Sequence, residues 1–127
     1  MAKSNYLEDK ALDHFLGVSA YTMPSNVYVA LFTTDPTDAG SGTEVSGNGY
    51  ARQSATFSSA SGGSTSNSSA IEFTASGGSF GTVSHFGIFD ALTSGNLLYH
   101  GALNASKTIA DTDTLKISAT GLTVNET

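Results

Sequence analysis

The chain has no cysteine and no tryptophan, only two prolines, and few charges. Without cysteine there can be no disulfide, thiolate metal site or cysteine nucleophile, and no sign of redox compartment. Charged residues make up 13% of the 127, against the roughly 25% usual in soluble domains. Solubility must therefore rest on Ser, Thr, Asn and Gly. Positive charge is scarcest: five Lys and Arg stand against eleven Asp and Glu, for a net charge of −6. Lys3, Lys10, Arg52, Lys107 and Lys116 are scattered, which argues against a nucleic-acid partner because phosphate affinity comes from clustered cations. No apolar run approaches the ~20 residues of a membrane helix, so no membrane partner is expected. The N-terminus MAKSNYLEDKALDHFLG lacks the apolar centre of a signal peptide, and cytosolic synthesis is expected.

What is present is organised around residues 81–103, GTVSHFGIFDALTSGNLLYHGAL. Two apolar segments, 83–89 and 97–103, flank a turn-rich DALTSGN, which predicts a β-hairpin. In the first, Val83, His85, Gly87 and Phe89 share one face, and Ser84, Phe86 and Ile88 share the other. Large apolar groups on both faces predict a central strand covered on both sides. Phe86, Ile88, Leu97 and Leu98 are the expected centre of the core. VYVALF at 27–32 repeats the pattern, with Val27, Val29 and Leu31 opposite Tyr28, Ala30 and Phe32.

One helix is expected, over residues 1–17. Asn5 and Glu8 have capping-box spacing, and Gly17 suits a left-handed C′ position. Leu7, Ala11, Leu12, Phe15 and Leu16 form an apolar stripe that should dock on the sheet or on a neighbouring subunit, since so short a helix is not stable alone. Residues 26–127 read as a β-domain. Strands are expected at 50–57, 70–73, 115–118 and 122–124, the last two flanking a turn at Thr120-Gly121. SSASGGSTSNSSA at 58–70 would pass for a linker on composition but reads as a long hairpin connection or a frayed edge, and 104–114 reads as a polar connection. The sum is a mainly β fold: an antiparallel β-sandwich or barrel-like domain, residues 1–127, with one short N-terminal α-helix.

Candidate chemistry is thin. His85 and His100 on the two hairpin arms, with Asp90, could in principle hold zinc, but Asp90 belongs at the closed end of the hairpin, far from both. Asp35 and Asp38, or Asp111 and Asp113, could offer oxygens to calcium, yet neither pair has an EF-hand pattern, and turn aspartates bond their own backbone. There is no G-x-S-x-G elbow and no converging carboxylate pair. The glycines have no phosphate-binding spacing. No catalytic, cofactor-binding or metal residue is assigned, no cofactor is expected, and the chain reads as non-enzymatic. Tyr21, Tyr28, Tyr50 and Tyr99 could supply stacking platforms for a carbohydrate.

The segments VYVALFTTDPTDAG, GTEVSGNGYARQ and VSHFGIFDALTSGNLLYHGAL resemble a family of small structural proteins of tailed bacteriophages, usually labelled tail-fibre or minor virion proteins. The resemblance implies a virion component made in the bacterial host cytoplasm, with other virion proteins (major capsid protein or tail proteins) as partners and no catalytic residue. A receptor-reaching fibre is usually long and repetitive, and this chain has neither heptads nor repeats. A short β-domain fits capsid decoration (a cement protein) first, and a tail-fibre or tail-tip component, with host-surface carbohydrate binding, second. Strands apolar on both faces also predict self-association as a dimer or trimer.

Overall fold

A computed structural model describes residues 1–126, which run β1 (Ala2–Lys3), α1 (Asn5–Phe15), β2 (Val27–Phe32), β3 (Gln53–Ala55), β4 (Ser64–Ser66), β5 (Ile71–Thr74), β6 (Gly81–Phe89), β7 (Leu97–Ile109), β8 (Thr114–Ile117) and β9 (Thr123–Asn125). The end of the expected domain, residue 127, lies outside the described residues. The fold is mainly β with one short N-terminal helix, as the sequence predicts. Five strands form one antiparallel sheet in the order β1-β7-β6-β2-β3, and β4-β9 and β5-β8 make two short ladders.

The hairpin of β6 and β7 occupies the middle of the large sheet. Both faces of β2 and β6 are covered, as their apolar alternation requires. On one face Val29, Leu31, Val83, Phe86 and Ile88 pack with Ile71, Phe73, Leu115, Leu122 and Val124 of the short ladders, forming a sandwich core. On the other, Ala30, Phe32, Phe89 and Leu97 form a smaller cluster, with the Arg52 guanidinium 3.8 Å above the Phe89 ring. Phe86, Ile88, Leu97 and Leu98 are all buried, but Val29, Leu31, Val83 and Phe73 lie deeper. Each large side chain withdrawn from water in this way contributes about 1.5–3 kcal/mol. Because both faces are covered within the chain, these strands no longer argue for self-association.

Several expected boundaries change. β7 runs on through Asn104 to Ile109, where a polar connection was expected. Beyond Tyr99 and His100, which pair with β1, this half of β7 is held by its backbone bonds to β6 and leaves most of its side chains in water. The register slips between Val83 and His85, so that β7 carries the extra residues of an irregularity there. β8 and β9 flank the Thr120-Gly121 turn, but each pairs elsewhere, with β5 and β4 respectively. Only Gln53–Ala55 of the expected 50–57 strand is in the ladder. Tyr50 and Arg52 instead send side chains to Glu44.

The Ser- and Gly-rich stretch is neither loose nor a linker. Ser61 and Ser64 exchange backbone hydrogen bonds across Gly62 and Gly63, whose φ angles are +63° and +77°. Two positive φ values in a two-residue loop are the tight-hairpin geometry that glycine allows. The chain then pairs with β9 and delivers Asn67 into the interior.

Candidate interaction surface

The N-terminus is anchored to the sheet edge by backbone. β1 pairs with β7, setting Ala2 opposite His100 and Lys3 opposite Tyr99. Ser4 is buried; its N–H donates to the Leu98 carbonyl at 2.9 Å and its hydroxyl donates to the Leu97 carbonyl. The same hydroxyl accepts from the Leu7 N–H at 3.1 Å. Ser4 is therefore the N-cap, and Asn5, the expected cap, is the first helical residue. Both residue types cap helices, and the tie to β7 selects Ser4. At the other end Gly17 has φ +78°, and Val18 N–H donates to the Asp13 carbonyl at 2.8 Å. That left-handed C′ closure is the one expected.

The helix is pinned at its start, yet its apolar stripe is not buried. No residue of α1 is buried. Leu12, Phe15 and Leu16 are 58%, 80% and 73% exposed, and Met23 on the returning chain is 82% exposed. The expected docking of the stripe on the sheet is thus confined to half-buried Leu7 and Ala11. Between α1 and the return lies a groove of about 830 Å³, lined also by Tyr21 and Tyr99. Tyr21 is held there by its N–H, which donates to His14 Nδ1 at 3.0 Å. Among the described residues, the other large exposed apolar side chains are Val18, just past the helix, and Leu92, in the β6–β7 loop.

The polar wall of the groove is self-satisfied. The Tyr99 hydroxyl donates to the Glu126 carboxylate, which also pairs with Lys3 at 2.8 Å. Burial, reinforced by Glu126, pushes the Tyr99 hydroxyl well above its usual range. Burial alone would raise the Glu126 carboxyl; hydrogen bonds from Lys3 and Tyr99 outweigh it and hold the group below its ordinary value. Burial also raises Tyr21, helped by nearby Tyr6 and Asp90.

The residues considered for metal chemistry are placed otherwise. His85 stands opposite Ala102 and His100 opposite Gly87, so the two histidines share a sheet face, two rungs apart. Asp90 is at the closed end, where its carboxylate accepts from Asn96 N–H at 2.7 Å and from the Asn96 amide at 3.1 Å. Asp38 meets His100 instead, with 2.7 Å from Oδ1 to Nε2, and Asp35 Oδ1 lies 3.9 Å from Nδ1. His85 Nδ1 is 2.7 Å from the Ser84 hydroxyl. Carboxylates on opposite nitrogens of one ring clasp it and do not converge on a common point. Among the described residues, no cluster of three or more His, Asp or Glu is arranged to hold a metal. Asp111 and Asp113 accept from the Gly77 and Ala110 N–H groups, as turn aspartates do.

Of the four tyrosines considered as platforms, Tyr21 and Tyr99 line the groove. Tyr50 lies parallel to Phe73 at 6.2 Å and edge-on to Phe80 at 5.7 Å, and its hydroxyl bridges Leu31 N–H and Glu44. It is half-buried and packs against the core. Tyr28 lies within β2, between Ser54 and Phe89. Met23 and Glu126 were not singled out in the sequence: Met23 stands just before the breaker at Pro24 and Glu126 just after the short β9, where no periodicity marks them.

No curated protein matches the chain. The model of a protein family described as Podophage GP4 fiber I protein gp80 matches residues 2–125, and the chain belongs to that family.

Proposed function

We propose that the chain is a non-enzymatic structural subunit of a phage virion, residues 1–127 acting as one unit, and that its place is in a fibre or the fibre's junction with the particle. The observation that carries this is the family match over residues 2–125, with its description as a fibre protein. That description moves the fibre ahead of capsid decoration, which the short, repeat-free sequence had favoured. The architecture is compatible: a small sandwich with a pinned helix offering an apolar face suits docking onto other virion proteins. Copy number in purified virions, by quantitative mass spectrometry or cryo-EM, is the test. A low multiple of a fibre's own symmetry supports the fibre; hundreds of copies put the chain on the capsid.

A host-surface carbohydrate is a second reading, and one observation favours it. Tyr21 and Tyr99 face one apolar groove, and aromatic rings with a polar tip suit sugar faces. Binding of the purified chain to host surface glycan, lost on Tyr21→Ala with the fold intact, would support it. No binding would restrict the groove to protein contacts.

A further inference from the structure

We propose that the groove between α1 and the returning chain is a self-association surface: Phe15, Leu16 and Met23 of one copy pack into the groove of a second copy, and the reverse. Three features of the patch point to a second copy. First, knob and hole are built from the same residues. Phe15, Leu16 and Met23 protrude, at 73–82% exposure, and also line the groove with Leu12, Tyr21 and Tyr99. A surface of that kind is self-complementary, which is what an isologous contact requires. Second, the area is right. The exposed parts of Leu12, Phe15, Leu16 and Met23 amount to roughly 600 Å² per copy before the half-buried tyrosines are added, near the ~800 Å² each partner gives a standard stable interface. That is at or above the largest apolar patch of an ordinary monomer. Third, little of the net charge of −6 reaches the patch, where Glu8 adds one negative charge to the Lys3–Glu126 pair. Lys3 and Glu126 already pair at 2.8 Å, so two copies meet there with little repulsion.

The inference is drawn from the purified chain's own geometry and does not rest on the fibre assignment; its failure would leave the family reading untouched. The test is sedimentation equilibrium of the full chain over a micromolar to submillimolar range, in low and high salt. The expected result is a dimer that persists in high salt, since apolar contacts are not screened. Phe15→Glu combined with Met23→Glu should weaken association at least tenfold, with the thermal unfolding midpoint of the monomer little changed because both side chains are exposed. Thr108→Glu, at an exposed position of β7 remote from Tyr99, should leave association as in the wild type. A wild-type chain monomeric throughout the range would overturn the proposal and give the groove to a different virion protein. An oligomer untouched by the double substitution, or one that Thr108→Glu disrupts equally, would overturn it too.

Discussion

Asn67 and Leu122, 55 residues apart, are joined twice: the Asn67 side-chain oxygen accepts from Leu122 N–H at 2.9 Å, and Asn67 N–H donates to the Leu122 carbonyl at 3.2 Å. The Asn67 amide nitrogen also donates to the Ser69 and Ser118 carbonyls, at 2.8 and 2.9 Å. The side chain is wholly buried, so it acts as a polar rivet between the β4–β9 ladder and the turn after β8. Removing it leaves the buried Leu122 N–H without its acceptor and takes a donor from the Ser69 and Ser118 carbonyls, the second of which keeps Gly121 N–H. Asn67→Ala should cost about 3 kcal/mol or more, the sum of lost bonds and unsatisfied groups. Asn67→Asp should cost at least as much, since a carboxylate would then face two carbonyl oxygens. Urea midpoints of the two variants check this, and a loss within about 0.5 kcal/mol would contradict it.

Arg52 holds the other face of the sheet. Its Nε and Nη2 each donate to Glu44 at 2.9 Å, and Nη1 donates to the carbonyls of Ala91 and Ser94 at 3.0 and 2.7 Å. It thus ties the 33–53 segment to the closed end of the central hairpin while lying over Phe89. Lysine has neither the planar fork nor the stacking face. Arg52→Lys should therefore destabilise by roughly 2 kcal/mol. Amide exchange should rise most in residues 91–96, and an even rise across the chain would argue against the clamp.

Alkali offers a reading of Tyr50 and Tyr99. Burial first, then the hydrogen bond to a carboxylate, raises both hydroxyls well above the usual tyrosine value. A folded-state pKa raised above the unfolded one gives stability that is complete below about pH 10 and is lost as pH climbs towards the folded value. Part of the tyrosinate absorbance of the five tyrosines should therefore appear only with unfolding. In Tyr50→Phe that late fraction should shrink. If all the absorbance develops while near-ultraviolet dichroism stays native, the two hydroxyls are not protected.

Acid tests the groove wall. The Glu126 carboxyl is held below its ordinary value of 4.5, against a burial effect that opposes this, by Lys3 and Tyr99. A depressed folded-state pKa gives stability that is present above about pH 4.5 and lost as pH falls through the lowered value. The effect on stability is small, because the pair is substantially exposed. The titration itself is the better readout. Lys3→Ala should move the Glu126 carbon chemical-shift midpoint upward, and an unmoved midpoint would mean the pair does not persist in solution.

How much of this was legible in the sequence follows from where side-chain pattern governs the backbone. β2 and β6 were readable because residues alternating between two apolar faces leave a strand in the middle of a sandwich few alternatives. The helix was readable from its cap signals, but residues 2–3 of the expected 1–17 span pair as β1. Ser4 displaced Asn5 as the cap through contacts with Leu97 and Leu98, more than ninety positions away. Asn67 was not readable: it stands among serines in a stretch whose composition suggests a linker, and its value arises from Ser118 and Leu122. The polar half of β7 was hidden for the opposite reason, since its order comes from backbone pairing with β6. The groove was half legible. The stripe of Leu12, Phe15 and Leu16 was plain, but a stripe cannot say whether its own sheet will cover it.

The central hairpin supplies the sharpest comparison between apolar packing and polar contact. Phe86 packs from β6 into the sandwich core among buried residues of both layers, with Gly101 of β7 beneath its ring. Its truncation to Ala removes a large apolar group and leaves a cavity that neighbouring strands cannot fill, at ~3–5 kcal/mol. Against a domain stability of ~5–15 kcal/mol, that leaves the fold marginal. His100, two rungs from the bulge at Leu98, is also buried, but its side chain meets the carboxylate of exposed Asp38. Glutamine at that position keeps a hydrogen-bonding group of similar reach, and Asp38 remains open to water, so His100→Gln should cost about 1 kcal/mol. Urea midpoints for the two variants give the order directly. Should His100→Gln destabilise more than Phe86→Ala, or should a chelator unfold the wild type, the clasp of Asp35 and Asp38 on His100 would be a binding centre, and apolar packing would not be what holds this hairpin in place.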